Sequence, residues 1–237
     1  MSLPTVPLAA SSLLAEVFDS PAEDAVLLLE VARTTVSVHY DTGRDVVPVL
    51  CICTPAAVRL PNAAVSSTLP TGEGLVAYDG RLHGPTATWK VARWWQPPRP
   101  RGLSRPTSNP TPSSGVDLDP AALVGRGPGL TPEGDDVVAG ALVAAHATDD
   151  PRLVSWRAAT RRALATHGTT AVSRGLLQHA MDGYATVELA DYLEALCNGR
   201  DARVAERRLL AVGHSSGAAL AAGARHTLFT QPLRGAA

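Results

Sequence analysis

Lysine is nearly absent from this chain of 237 residues: Lys90 stands alone, and arginine supplies the rest of the positive charge. Lys and Arg together number 21 against 22 Asp and Glu, for a net charge of −1. With neither a basic excess nor a basic tract, the electrostatic footprint of a nucleic-acid binder is missing. Aromatic residues make up 4% of the chain, too few to suggest stacking platforms for bases or sugars. Cys51, Cys53 and Cys197 form no CxxC pair, which excludes a disulfide framework and argues against cysteine-held zinc. The histidines at 39, 83, 146, 167, 179, 214 and 226 show neither HxH nor HExxH spacing, so no histidine-held metal is expected. No stretch reaches the roughly 18 uninterrupted apolar residues of a membrane span. The opening MSLPTVPLAASSLLAEVF has no basic n-region and no long apolar run, and a cytoplasmic location is expected.

What is present is an ordinary globular composition, 45% hydrophobic and 18% charged, long enough to bury a substantial core. Residues 1 to about 96 read as β-rich. VSVHY (36–40), VVPVLCIC (46–53), GLVAYDG (74–80) and TATWKVARWW (86–95) carry alternating or continuous β-branched and aromatic residues, and turn clusters separate them. A short helix is expected over about 9–18. Residues 97–120 hold seven of the chain's 19 prolines and read as an extended linker or surface loop. The expected domains are therefore 1–118, β-rich with a proline-rich linker at 97–118, and 119–237, helical. In the second part Thr131-Pro132 reads as a threonine N-cap with proline at the first helical position. Further helices are expected from Pro151, from Thr169 or Thr170, from Thr186 to a stop at Gly199, over DARVAERRLLAV, and over ALAAGARHTLF. The fold class is α+β, a β-rich N-terminal half packed on a C-terminal helical bundle.

Three polar stretches lie at helix starts. GRGPGLTPEGDD, 125–136, packs four glycines and two prolines into twelve residues and ends on two aspartates. Successive small-residue N–H groups at a helix start bind phosphate or carboxylate. Gly127, Gly129 and Gly134 would permit close backbone approach, and Pro128 and Pro132 would stiffen the loop. The stretch is neither a Walker A loop nor a dinucleotide fingerprint. Asp135 and Asp136 could hold a divalent cation, accept a proton from an amine or amide, compensate the helix dipole, or freeze the loop as acceptors. GHSSG, 213–217, fits the outline of a nucleophile elbow, but only His226 follows and no acid lies after Glu206, so the hydrolase triad order fails. THGTTAVS, 166–173, adds hydroxyls at a third helix start. Convergence of the three would suit a small anionic ligand.

GxGPGLTPxGDD before an apolar helix, then TTxxSxxLLxxAxxG, then LLxxGHSSGxxxxxG, resembles a bacterial domain-of-unknown-function family that contains the AllH-type subunit of oxamate carbamoyltransferase. The resemblance runs from about Leu123 to Gly223, and weakly into TWKVARWWQPPRP. It implies a subunit of a multi-subunit enzyme of purine and allantoin degradation that interconverts oxalurate plus phosphate with oxamate plus carbamoyl phosphate. Implied partners are a small anionic metabolite and the other subunits of that complex. By motif match the resemblance carries over Gly127, Gly129, Thr131, Gly134, Asp135, Asp136, Thr170, Ser173, His214, Ser215, Ser216 and Gly217; from their chemistry Asp135, Asp136 and His214 are expected to be catalytic and the others to bind substrate. His214 would be the proton donor and the aspartates would orient an amine or a metal. No organic cofactor is implied, and Mg²⁺ could bridge the aspartates to an anion. Two positions depart from the family pattern: Glu133 stands where serine is usual, and SGAAL replaces an SGWD-like continuation. Two other readings compete: a non-catalytic assembly or regulatory subunit, and a phosphotransferase, for which the low aromatic count offers no base pocket.

Overall fold

The computed structural model describes residues 3–107, 118–166 and 168–230. His167 and the 108–117 portion of the proline-rich stretch lie outside the described residues. The chain divides into two compact units, Met1–Pro97 and Pro98–Ala237.

In the first unit eight strands close into a barrel: β1 (Thr5–Ser11), β2 (Val26–Arg33), β3 (Ser37–Asp41), β4 (Val49–Cys53), β5 (Ala63–Ser66), β6 (Leu75–Tyr78), β7 (Arg81–His83) and β8 (Thr88–Trp95). Their order around the barrel is β1-β5-β4-β3-β2-β6-β7-β8. β1 closes the ring by pairing parallel with β8, and β4 and β5 are also parallel. Period-two alternation puts Leu8, Ala10, Val38, Tyr40, Leu50, Ile52, Leu75, Ala77 and Trp89 into one buried cluster. The expected β-rich first half is found; closure of the strands into a barrel goes beyond that expectation. The helix expected over about 9–18 starts later, because Leu8 and Ala10 are drawn into the barrel interior on β1. A 3₁₀ turn at Ser12–Leu14 follows, then the short α1 (Ala15–Phe18). Cys51 and Cys53 share a face, as their spacing requires, and with Ala63 form a smaller cluster packed by Leu60 and Trp95. Trp94 makes an edge contact with Phe18 of its own unit.

The second unit contains α2 (Pro120–Leu123), α3 (Glu133–Ala147), α4 (Leu153–Thr166), α5 (Ala171–Met181), α6 (Val187–Cys197), α7 (Arg203–Leu210) and α8 (Ser216–Phe229). Thr170 and Thr186 cap α5 and α6 as expected, accepting from the N–H groups of Ser173 and Leu189. The first stretch differs. Pro132, not Thr131, is the N-cap of α3, and no side chain caps it, because the Thr131 hydroxyl bonds to Ser216 instead. Pro98–Thr107 runs along these helices. The Ala185 N–H donates to the Pro98 carbonyl, the Leu103 N–H donates to that of Ala147, and Arg105 pairs with Asp150. The buried Asp150 also takes a two-pronged bond from Arg152, at 3.0 and 2.8 Å.

α3 is buried along nearly its whole length and packs against α8, α5, α4 and α2. Its contact with α8 is backbone-close. A Cβ on Gly140 would sit 2.1 Å from the Leu220 carbonyl oxygen, and one on Gly223 would sit 1.9 Å from that of Val137. The Thr227 hydroxyl bridges the same seam to the Ala141 carbonyl at 3.2 Å. Small residues let the helices approach, and alanine fills what remains. Gly223→Ala should therefore cost about 1–3 kcal/mol through overpacking, measured as a lower urea midpoint with unchanged m-value. The same substitution at Gly199, where no atom lies within 4 Å of the added Cβ, should cost less and only through its φ of +63°.

Candidate anion site at three helix starts

The three polar stretches meet, and Asp135 joins two of them. Asp135 is 1% exposed. One of its oxygens accepts the Gly125 N–H at 2.7 Å. The other accepts the hydroxyls of Thr169 at 2.5 Å and Ser173 at 2.6 Å. The Thr170 hydroxyl, besides capping α5, donates to the Leu130 carbonyl at 2.5 Å. The GHSSG stretch joins through Ser216, whose hydroxyl lies 3.0 Å from that of Thr131. The beginnings of α3, α5 and α8 thus come together, each with the partial positive charge of a helix N-terminus. Like dipole ends placed side by side repel, and an anion bound among them would offset that repulsion.

The glycine loop supplies donors. Gly127 (φ +117°) and Gly129 (φ +97°) hold conformations that L side chains rarely adopt. The N–H groups of Gly127, Gly129, Leu130 and Thr131 make no hydrogen bond to any described residue, and residues 125–130 are exposed. Gly134 and Gly217 serve packing: a Cβ on either would strike the carbonyl oxygens of Leu123 and Leu209, at 2.1 and 1.8 Å. Glu133 is exposed on the first turn. His214 and Ser215 are exposed too, and neither side chain makes a hydrogen bond to a described residue, so the structure leaves both outside the clasped network. GHSSG forms the turn between α7 and α8, not a strand-to-helix turn, which removes the elbow geometry. Sequence reading passed over Thr169 and Gly125 as site residues; the only signal was their place inside the two stretches.

Asp136 contrasts with its neighbour. Successive helical residues point about 100° apart, so it faces away from the donors that Asp135 takes. It is 6% exposed and its Oδ2 has no hydrogen-bond partner. Burial pushes its pKa up from 3.8 to about 6; hydrogen bonds from the Ser216 and Thr131 side chains lower it, and the charges of Asp135 and Glu133 raise it further. Among the described residues no group of three or more His, Cys, Asp or Glu could hold a metal ion, and both Asp135 oxygens already accept from protein donors.

A carboxyl whose folded pKa is raised contributes full stability below its unfolded pKa and loses that contribution as pH rises through the folded value. For Asp136 the window is pH 3.8 to about 6, and the contribution is at most on the order of 3 kcal/mol. The stability of wild type minus that of Asp136→Asn, from urea unfolding at pH 4 and pH 7, should fall by one to a few kcal/mol as pH rises. A flat difference would mean that Asp136 is solvated.

No solved structure matches this chain. Residues 123–228 match the family model of oxamate carbamoyltransferase subunit AllH. That span begins at the last residue of α2, carries all three loops, and ends within α8; over this segment the chain is similar to the AllH family.

Proposed function

We propose that the chain is the AllH-type subunit of a carbamoyltransferase complex and binds a small anionic metabolite, such as carbamoyl phosphate, oxamate or oxalurate, where α3, α5 and α8 begin. The observation that carries this reading is the set of backbone N–H groups at Gly127, Gly129, Leu130 and Thr131, held at a meeting of three helix N-termini. Donors already aimed at developing negative charge stabilise it without reorganising, which is what acyl and phosphoryl transfer require. In this scheme Gly127, Gly129 and Thr131 touch the anion, while Gly134, Thr170, Ser173 and Gly217 hold the loops. Asp135 is a positioning residue, because its oxygens are spent on the fold. Ser216 and Asp136 face one another beside Thr131. His214, exposed on the third loop, would bring a proton from the solvent side. Magnesium would arrive with a phosphate ligand and need no resident set of protein ligands.

A second reading keeps the site and moves the chemistry to another subunit, leaving this chain to assemble or regulate. The exposure of His214 and Ser215 favours it, since a site that performs transfer alone would bury its proton donor away from water.

Thermal-shift titration with carbamoyl phosphate, oxamate, oxalurate and inorganic phosphate, with and without Mg²⁺, tests the binding claim. A ligand at ~100 times its Kd should stabilise the native state by about 2.7 kcal/mol. Gly127→Ala, which forces a Cβ to 2.9 Å from the Glu133 nitrogen, should abolish the shift while leaving the far-UV circular dichroism of the bundle intact. No shift with any of the four would leave an assembly role.

A further inference from the structure

Strand β2 changes its surroundings halfway along. Val26, Leu27 and Leu28 pair with β6, whose first residue, Leu75, lies opposite Leu28. From Leu29 to Arg33 the ladder continues only toward β3. On the other side the segment 70–74 stands off. Among the described residues no backbone hydrogen bond joins it to β2, and the Arg33 side chain reaches across to the Pro70 carbonyl at 3.1 Å. Between them lies a cleft of about 910 Å³, with Leu27, Leu29, Glu30, Gly72, Glu73 and Leu75 in its walls. A Cβ on Gly74, at the same wall, would meet no atom within 4 Å. Strand N–H and C=O groups alternate in direction, so about half of those on 29–33 face the cleft and not β3.

The outward positions beside this edge are apolar: Leu27, Leu29 and Val31 are 54%, 60% and 41% exposed. Natural edges are usually guarded by lysine, proline or charge, and these three positions carry none. The bulge between Glu30 and Ala32 adds local twist, which limits pairing to a short segment. Three half-exposed aliphatic side chains also fall far short of the ~800 Å² that each partner of a stable globular complex buries. Strand addition needs less, because main-chain hydrogen bonds supply affinity and shallow pockets read alternate side chains. Charge narrows the occupant further. Arg33 neutralises Glu30 at 2.8 Å, while the exposed Glu73 has no ion pair among the described residues, which leaves the cleft one negative charge in excess. We propose that the free edge of β2 receives an extended segment of a different protein chain, with aliphatic residues at alternate positions and a basic residue against Glu73. The source of that segment, a partner subunit, rests on the reading above of this chain as one subunit of a complex. The segment takes the place beside β2 that β6 leaves open beyond Leu28.

The probe is the synthetic peptide acetyl-TVKVTV-amide, fluorescently labelled and titrated with the 237-residue chain while anisotropy is read. Wild type should bind it saturably, and N-methylation of alternate peptide amides should weaken binding about tenfold or more. Leu29→Lys, at a solvent-facing position, should abolish binding and leave Tm unchanged. Wild type should prefer the peptide over acetyl-TVEVTV-amide by about two- to fivefold, as an exposed ion pair allows, and Glu73→Lys should invert that order. Absence of saturable binding in wild type, or binding indifferent to N-methylation, would overturn the proposal. A charge preference that persists in Glu73→Lys would overturn the placement of the basic residue. Self-association of wild type in sedimentation velocity, lost in Leu29→Lys, would give the edge to a second copy and overturn the assignment to a different chain. The wild-type comparison of plain and N-methylated peptide decides the matter even if a variant fails to fold. Anion binding at α3, α5 and α8 is read separately by thermal shift, so the two proposals fail independently.

Discussion

Where α3 crosses α8, the Val137 carbonyl meets Gly223 and the Leu220 carbonyl meets Gly140, at separations that admit no Cβ. The two helices cannot slide along one another without driving a side chain into a backbone, so their register is fixed. Fixed register puts the first residue of α8 beside the second residue before α3, and the Thr131–Ser216 bridge is the outcome. α5 is brought to the same place by Asp135, a buried acceptor that holds Thr169 and Ser173. The candidate site is thus a by-product of helix packing: glycines set the distance between two helices, and one carboxylate ties in the third.

This arrangement separates two jobs that sequence alone leaves mixed. Asp135 and Asp136 are adjacent, both acidic, and both on the first turns of a helix, where any carboxylate would find a favourable dipole. Nothing local distinguishes them. Their difference comes from about 100° of helical rotation and from which neighbouring stretch each one then faces, and the neighbours lie far along the chain. The same holds for Gly134 and Gly217, which read as loop glycines and turn out to be sites where a helix end presses on a carbonyl.

Features that depend on a few consecutive residues were readable. Thr170 and Thr186 cap their helices because a side-chain oxygen needs only the N–H group three residues on. Features that depend on distant partners were not. VLLLEVAR, 26–33, has no alternation strong enough to announce a strand and becomes one because β3 and β6 flank it. TVPLAAS, 5–11, contains a proline and three small residues, and is a strand because β5 and β8 receive it. Thr131 looked like an N-cap by every local rule, and lost that role to a partner 85 residues away.

The seam between β1 and β8 has a consequence for how the first unit comes into being. Its earliest strand pairs in parallel with its last, so the ring cannot shut until the whole unit has been made. Until then β1 has an unpaired edge facing the position of β8, and such an edge is a template for pairing with other chains. Closing so long a loop is also slow relative to local structure, because the entropy of bringing the ends together comes before the contacts that reward it. The vulnerable period for the barrel therefore falls during synthesis or refolding; once the ring is shut, β1 and β8 no longer offer that edge.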